Sequence, residues 1–304
     1  MRHPFTLIGV DIEGAWNRPL LLNAAAISGC ECTFAQSATP QADSGVQSAA
    51  DADPTRLEEE LCRSSQVLVC ELTRNSVSVY DLPAPRQSTS IIVGNEERGV
   101  PRSVLKRADH VVSVPMACRG LSSLNVAVAA AVILYSMTHD LARRRRVRSG
   151  LKMQSVDILI AAPTEPHELG SLLRSVYSFG WRRLFLSDPH NVWFSSDPAI
   201  ILQSRAAARR SRNLVAVLPA AKLDLAQYDA VITCRQHQEG SPLSRLRLPE
   251  CGRLLIVFGE SVETEDIGDD SLRVTVDHAD RTVQPCFRHD GSILLSVISQ
   301  LLSP

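Results

Sequence analysis

The chain has 304 residues, 44% hydrophobic and 21% charged, with a formal net charge of −1. This is an ordinary globular composition, and the length suggests two domains of about 150 residues each. No apolar run reaches the roughly 18 residues that span a bilayer, and the N-terminus lacks a signal-peptide core, so a cytoplasmic location and no membrane partner are expected.

Each half alternates strand-like and helix-like segments, which argues for an α/β fold with mainly parallel sheets. In the first half, strands are predicted at 5–12, 31–35, 66–72, 90–94 and 110–115. The polar stretch 37–56 reads as a long loop, and an apolar helix is predicted over 122–139. The charged run "RRRRVRSG" (143–150) then marks a boundary. It gives a first domain at 1–142, a basic linker at 143–152 and a second domain at 153–304. In the second half, strands are predicted at 156–163, 183–187, 213–219, 229–234, 253–259 and 272–276, with a closing helix over 291–302.

The halves share landmarks in one order, the mark of an internal repeat. Asn17 stands opposite Glu168, Asn23 opposite Arg174, Gly29 opposite Gly180 and Cys70 opposite Cys234. Gly94 and Gly259 each close an apolar strand and are followed within two residues by Glu96 and Glu260. Ser123 and Ser292 are expected to open the two closing helices.

The eight cysteines form no CxxC pair and no Cys/His cluster at zinc spacing, so no metal site is expected. There is also no G-x-G-x-x-G fingerprint and no Walker A sequence. Only three of the 32 basic residues are lysine. Arginine is concentrated in 143–148 and 204–212, which read either as phosphate-binding runs or as solvated surface. Trp181 and Trp193 read as core or as base-stacking surfaces.

Two segments carry the chemistry. "IIVGNEERGVP" (91–101) closes a strand with Gly94, which lets the backbone approach a ligand. "VVSVPMACRGLSSLNVAVAAAVILY" (111–135) runs through a loop into a helix whose first residues include Ser123 and Asn125. Helix-start N–H groups offer donors. Together the segments suggest a backbone-lined slot for a nucleoside-like cofactor.

These two segments resemble motifs 2 and 3 of the SpoU/TrmH family of SPOUT RNA ribose 2′-O-methyltransferases. The resemblance implies two tandem α/β-knot (trefoil-knot) domains and S-adenosyl-L-methionine as cofactor. It implies RNA (tRNA or rRNA) as substrate. Donor contacts are implied for Gly94, Asn95, Val114, Met116, Ser123 and Leu124. Glu96, Ser123, Asn125, Asn17 and Arg174 are implied at the catalytic end.

The family's first motif is an Asn followed six residues later by an Arg. Here the first half keeps Asn17 but has Asn23 in place of Arg, and the second half keeps Arg174 but has Glu168 in place of Asn. In the second half "FGESVETEDIG" lacks the Asn between Gly259 and Glu260, and Leu294 stands where Asn125 sits. The expected arrangement is a monomeric pseudodimer in which Arg174 completes a site built on the first half. Bland alternatives are an ion pair for Arg174, a turn cap for Glu96 and a helix cap for Asn125. The competing functions are a non-catalytic RNA-binding or ribosome-assembly scaffold and methylation of a small molecule.

Overall fold

The computed structural model describes residues 4–37, 54–117, 123–143, 150–193, 215–235, 239–260 and 271–302. The basic run 204–212, nearly all of 143–148, and Cys118 lie outside the described residues.

The chain forms two compact units. The first comprises Met1–Pro115, Asn125–Arg144 and His278–Pro285. The second comprises Met116–Leu124, Arg145–Asp277 and Cys286–Pro304.

The sheet of the first unit has strands β1 (Phe5–Val10), β2 (Glu31–Ala35), β3 (Gln66–Cys70), β4 (Val77–Ser78), β5 (Thr89–Val93) and β6 (His110–Ser113). All pair in parallel in the order β2-β1-β5-β3-β6-β4. Ile8, Ile92 and Val69 lie side by side across the three central strands. β5 is buried along its whole length, as expected of a strand covered on both faces. One face is covered by α2 (Pro54–Arg63) and the short α3 (Arg102–Leu105), whose Leu57, Leu61 and Val104 join Ile8, Val69 and Ile92 in one apolar cluster. Helices α1 (Asn17–Ile27) and α4 (Val126–Thr138) pack on each other. α4 is buried nearly all round, and its Ala127, Ala130 and Ala131 are fully enclosed. These small residues let neighbouring backbone approach where longer side chains would hold it off.

The second unit has β7 (Val156–Ala161), β8 (Arg183–Ser187), β9 (Ala216–Pro219), β10 (Ala230–Cys234), β11 (Ser241–Pro242), β12 (Leu254–Gly259) and β13 (Leu272–Thr275). Its order is β11-β13-β10-β12-β7-β8-β9, again all parallel. Read from β8, this is the first sheet's order strand for strand, with β9 added outside β8. Helix α5 (Pro166–Ser178) follows β7 as α1 follows β1, and α6 (Phe287–Leu302) closes the unit as α4 closes the first.

The correspondence reaches single dihedral angles. Asp11 and Ala162, each one residue past the first strand of its unit, both have positive φ, 54° and 47°. Each donates its N–H to the last residue of the second strand, Ala35 or Ser187, at 3.0 Å. Gly29 and Gly180 end α1 and α5 with φ of 65° and 83°. The following N–H groups, of Cys30 and Trp181, reach back to the carbonyls of Ala25 and Val176. This is the left-handed glycine stop that satisfies the last carbonyls of a helix.

Both closing-helix starts need correction. α4 begins at Val126 behind its cap Asn125, so Ser123 precedes the helix and does not open it. The second closing helix begins at Phe287, not at 291, so Ser292 and Leu294 are fully buried within it. Cys286, whose carbonyl accepts from His289 and Asp290, opens the helix and is the positional counterpart of Asn125. The Gly291 α-hydrogens face Leu172 and Phe258, with a Cβ there only 2.7–2.8 Å from their side chains. Close packing, and not a helix start, accounts for that glycine. Of the two readings left open for Trp181, core is the one the structure bears out, with the side chain 0% exposed.

The second unit also holds a buried carboxylate. Asp157 on β7 accepts from Arg183 Nε at 2.8 Å and from Arg183 Nη2, from Tyr228 Oη at 2.6 Å and from Arg253 Nη2 at 3.1 Å. Burial alone pushes its carboxyl up, but these hydrogen bonds and the Arg183 charge outweigh burial and hold it below the usual carboxylate range.

Candidate active site

In open parallel sheets, ligands meet the loops at the carboxyl ends of the strands. In the first unit those loops gather Asn17, Glu96 and Asn125. Gly94 leaves β5 and begins a tight turn. A Cβ on it would fall 2.4–2.5 Å from the backbone of Gly99 and Val100, so only glycine fits. The turn is closed by paired backbone hydrogen bonds between Asn95 and Gly99 at 2.9 and 3.1 Å. The Asn95 side chain is enclosed within it. Its Oδ1 accepts from Glu97 and Arg98 N–H at 2.9 Å each, and its Nδ2 donates to the Asp11 carbonyl at 2.8 Å. Those three bonds make Asn95 the builder of the turn.

The turn aims Glu96 at the loop before α1. Its carboxylate accepts from Asn17 Nδ2 and from the Gly14 N–H at 3.2 Å. Asn17 Oδ1 in turn accepts from Asn125 Nδ2 at 3.0 Å. Asn125 Oδ1 caps α4, accepting from Ala127 N–H at 2.9 Å and Val128 N–H at 3.4 Å. The helix start therefore fixes which end of the Asn125 amide is the donor. That orientation passes through Asn17 to the Glu96 carboxylate, making a directed relay. Asn125 is both the helix cap and a member of the polar cluster. Gly14 closes it from above: a Cβ there would lie 2.6 Å from Asn17 Nδ2 and 2.9 Å from Glu96 Oε1.

Val114, at the end of β6, is buried in the first unit, whereas Met116, Ser123 and Leu124 fall in the second. There Arg174, on α5, donates from Nε to the Ser123 carbonyl and from Nη2 to Ser123 Oγ. In the first unit Asn23, on α1, donates from Nδ2 to the Gln284 carbonyl at 2.9 Å. Ser123 and Gln284 each lie two residues before the cap of a closing helix. Positions 23 and 174 thus make the same kind of bond to matching segments.

The second unit treats the counterpart of the relay differently. Glu168, opposite Asn17, accepts from the Arg288 N–H at 2.8 Å and Nε at 2.5 Å. Both side chains are largely enclosed. Gly259, opposite Gly94, has the Phe287 ring 3.1 Å from its Cβ position, and Phe287 packs against Phe258 with centroids 4.6 Å apart. An ion pair and an aromatic ring fill this place.

Sequence reasoning missed Glu71. At the end of β3, its Oε2 accepts from Val100 N–H at 2.8 Å and lies 2.4 Å from the Cβ position of Gly99, which has φ of 70°. It braces the Gly94–Gly99 turn, and an acidic residue directly after a buried strand was its one visible signal. Among the described residues no group of His, Cys, Asp and Glu is arranged to hold a metal.

The fold and the cluster define a parallel α/β domain with a glycine turn and a capped helix start gathered at the carboxyl ends of its strands. Residues 23–135 match the model of the SpoU rRNA Methylase family, a stretch that includes Glu96 and Asn125. The chain is 33% identical over 94 residues to a tRNA (guanosine(18)-2′-O)-methyltransferase of Escherichia coli, covering 31% of this chain and 38% of the relative. It is 41% identical over 73 residues to an uncharacterized tRNA/rRNA methyltransferase of Archaeoglobus fulgidus, covering 24% and 31%. The chain therefore spans less than half the length of the curated relatives it matches. Among solved structures, it is similar to the A. aeolicus TrmH/SpoU tRNA modifying enzyme at 21% identity and a TM-score of 0.37, over 46% of this chain and 76% of that one.

Proposed function

We propose that the protein is a methyltransferase that uses S-adenosyl-L-methionine to methylate a ribose 2′-hydroxyl of tRNA or rRNA, with its donor site on the first unit. The observation that carries this reading is the convergence of Asn17, Glu96 and Asn125, three residues far apart in sequence, in one directed relay. The family match over 23–135 and the curated relatives' names supply the reaction class.

This reading seats the nucleoside of the donor against the Gly94–Gly99 turn at the end of β5, which the Glu71 carboxylate braces, and apolar Val114 after β6. When bound, that molecule supplies an electrophilic methyl group. The chain's part is to orient the hydroxyl, disperse charge and give the proton somewhere to go. Glu96 and Asn125 orient ribose and donor through hydrogen bonds. Arg174 is a poor base, because a guanidinium stays protonated. Its role in this reading is a cation that stabilises the developing alkoxide.

The two units are read as a duplicated knotted domain acting as an intramolecular pseudodimer. Matching strand orders and matching positive-φ positions support duplication. The second copy no longer takes a donor, because Phe287 and the Glu168–Arg288 pair fill that place. Arg174→Ala is expected to lower methyl transfer to bulk RNA by about 10²-fold or more while donor affinity in calorimetry stays within about tenfold. Unchanged turnover refutes the composite site, and no donor binding at millimolar concentration favours a non-catalytic scaffold.

A further inference from the structure

Arg98 stands in the Gly94–Gly99 turn, two residues after Glu96. Its backbone N–H donates to Asn95 Oδ1 at 2.9 Å, so the turn that aims Glu96 also fixes where the Arg98 side chain begins. Its guanidinium donates from Nη2 to Glu13 Oε1 at 2.5 Å. Glu13 directly precedes Gly14, whose N–H bonds Glu96 at 3.2 Å, so the ion pair lies beside the relay. It is open to solvent, with Arg98 51% and Glu13 55% exposed. An exposed pair of this kind contributes little to folding and is readily exchanged. Arg18, the nearby cation on α1, is engaged differently. Its Nε donates to the Ile12 carbonyl at 3.4 Å, and its guanidinium lies 5.2 Å from the centroid of the Phe34 ring.

An RNA ribose cannot reach the relay without its phosphate. The 2′-hydroxyl sits on the carbon next to the one that carries the 3′-phosphate. A ribose oriented by Glu96 and Asn125 therefore brings an anion alongside the Glu96 and Glu13 carboxylates, and like charges at that range repel. We infer that Arg98 grips the phosphate 3′ to the target ribose, and that Glu13 holds this guanidinium in the free protein and gives way when RNA binds. This rests on the transferase reading above and adds the contact that takes the substrate's backbone. The guanidinium fork matches phosphate and carboxylate oxygens with the same geometry. Glu13 is thus an internal competitor for the seat of the phosphate.

The test uses the full chain, with filter binding to bulk tRNA across a salt series, methyl transfer to the same RNA, and donor calorimetry. Arg98→Gln is expected to weaken RNA binding by about tenfold. It lowers the slope of log Kd against log salt by about 0.7–0.9, the share of one phosphate. The RNA KM rises in step. Arg98→Lys keeps the charge and is expected to restore the salt slope. Glu13→Gln removes the competitor and is expected to tighten RNA binding by about 1.5- to 5-fold. Added to Arg98→Gln it changes nothing further, because both act through one guanidinium. Donor affinity is unchanged throughout, since the donor carries no phosphate, and melting temperatures stay near wild type. Unchanged RNA affinity and salt slope in Arg98→Gln overturn the inference. So does weaker RNA binding in both Glu13→Gln and Arg98→Gln, which makes the pair only a latch on the loop before α1. Opposed shifts in RNA affinity in a chain that transfers no methyl remove the transferase reading and leave the phosphate grip standing.

Discussion

Asn17→Ala removes both internal links of the relay. One is a hydrogen bond to a carboxylate and the other joins two neutral amides. Such bonds contribute about 1.5–3 and 0.5–1.5 kcal/mol respectively, so about 2–4.5 kcal/mol of orienting interaction is at stake. If all of it is expressed in the transition state, the rate falls by about 30- to 2,000-fold, because each 1.36 kcal/mol is a factor of ten. Little of it reaches folding stability. Glu96 is exposed and Asn17 half-exposed, so water replaces the lost partners, and the expected destabilisation is below about 1 kcal/mol. The assay is transfer of labelled methyl groups to RNA, with donor affinity measured separately by calorimetry. A rate drop of about 10²-fold with donor affinity and melting temperature near wild type is expected. Full activity in Asn17→Ala would show that the relay only shapes the loop before α1.

Gly14→Ala places a methyl group on the relay from outside and is expected to lower transfer at least tenfold with little change in melting, read in the same two assays. Asp157→Ala leaves Arg183 and Arg253 facing each other in a half-enclosed place and is expected to destabilise the second unit by about 2–3 kcal/mol in urea unfolding, below the 3–5 of a fully buried pair because the arginines are about a third exposed. The folded Asp157 pKa is depressed, so its contribution is present above the unfolded value near 3.9 and is lost as pH falls through the lower folded value. Asp157→Asn should flatten the stability–pH curve in that acid window. Tyr228 is pushed up to about 12 by burial and by its bond to Asp157, so its contribution is complete below pH 10 and lost as pH rises towards 12. Tyr228→Phe should remove that alkaline slope. Burial also pushes up the thiols of Cys70 and Cys234, and both are expected to resist maleimide labelling until the chain unfolds, whereas exposed Cys62 labels at once.

The long parallel strands were legible because their apolar runs are continuous. The segments at 31–35 and 183–187 match β2 and β8 residue for residue. Elsewhere the expected strands run past the observed ends, since Asp11 and Glu71 follow apolar residues but leave the ladder to serve the loops. The two-residue strands β4 and β11 carry no periodicity to read. The start of α6 was misplaced because Cys286, at its cap position, is not a residue type that favours capping, while Gly291 looked like a boundary and is a packing contact. The cluster of Asn17, Glu96 and Asn125 was legible through the resemblance to the family's motifs, but its wiring was not. Which amide donates to which oxygen depends on the α4 N-terminus. The pairing of Arg98 with Glu13 depends on how the loop from Asp11 to Asn17 is fastened. Neither follows from the order of residues.

The packing around Gly259 has an evolutionary consequence. Opening a donor cradle in the second sheet would require removing Phe287, unpairing Arg288 and replacing Glu168. Each single substitution would strand a charge or open a void before any benefit followed. Intermediates of that kind are selected against, so, on the proposed reading of the two units as copies, the asymmetry between them behaves as a ratchet: the second unit can specialise further but has no downhill route to a symmetric pair.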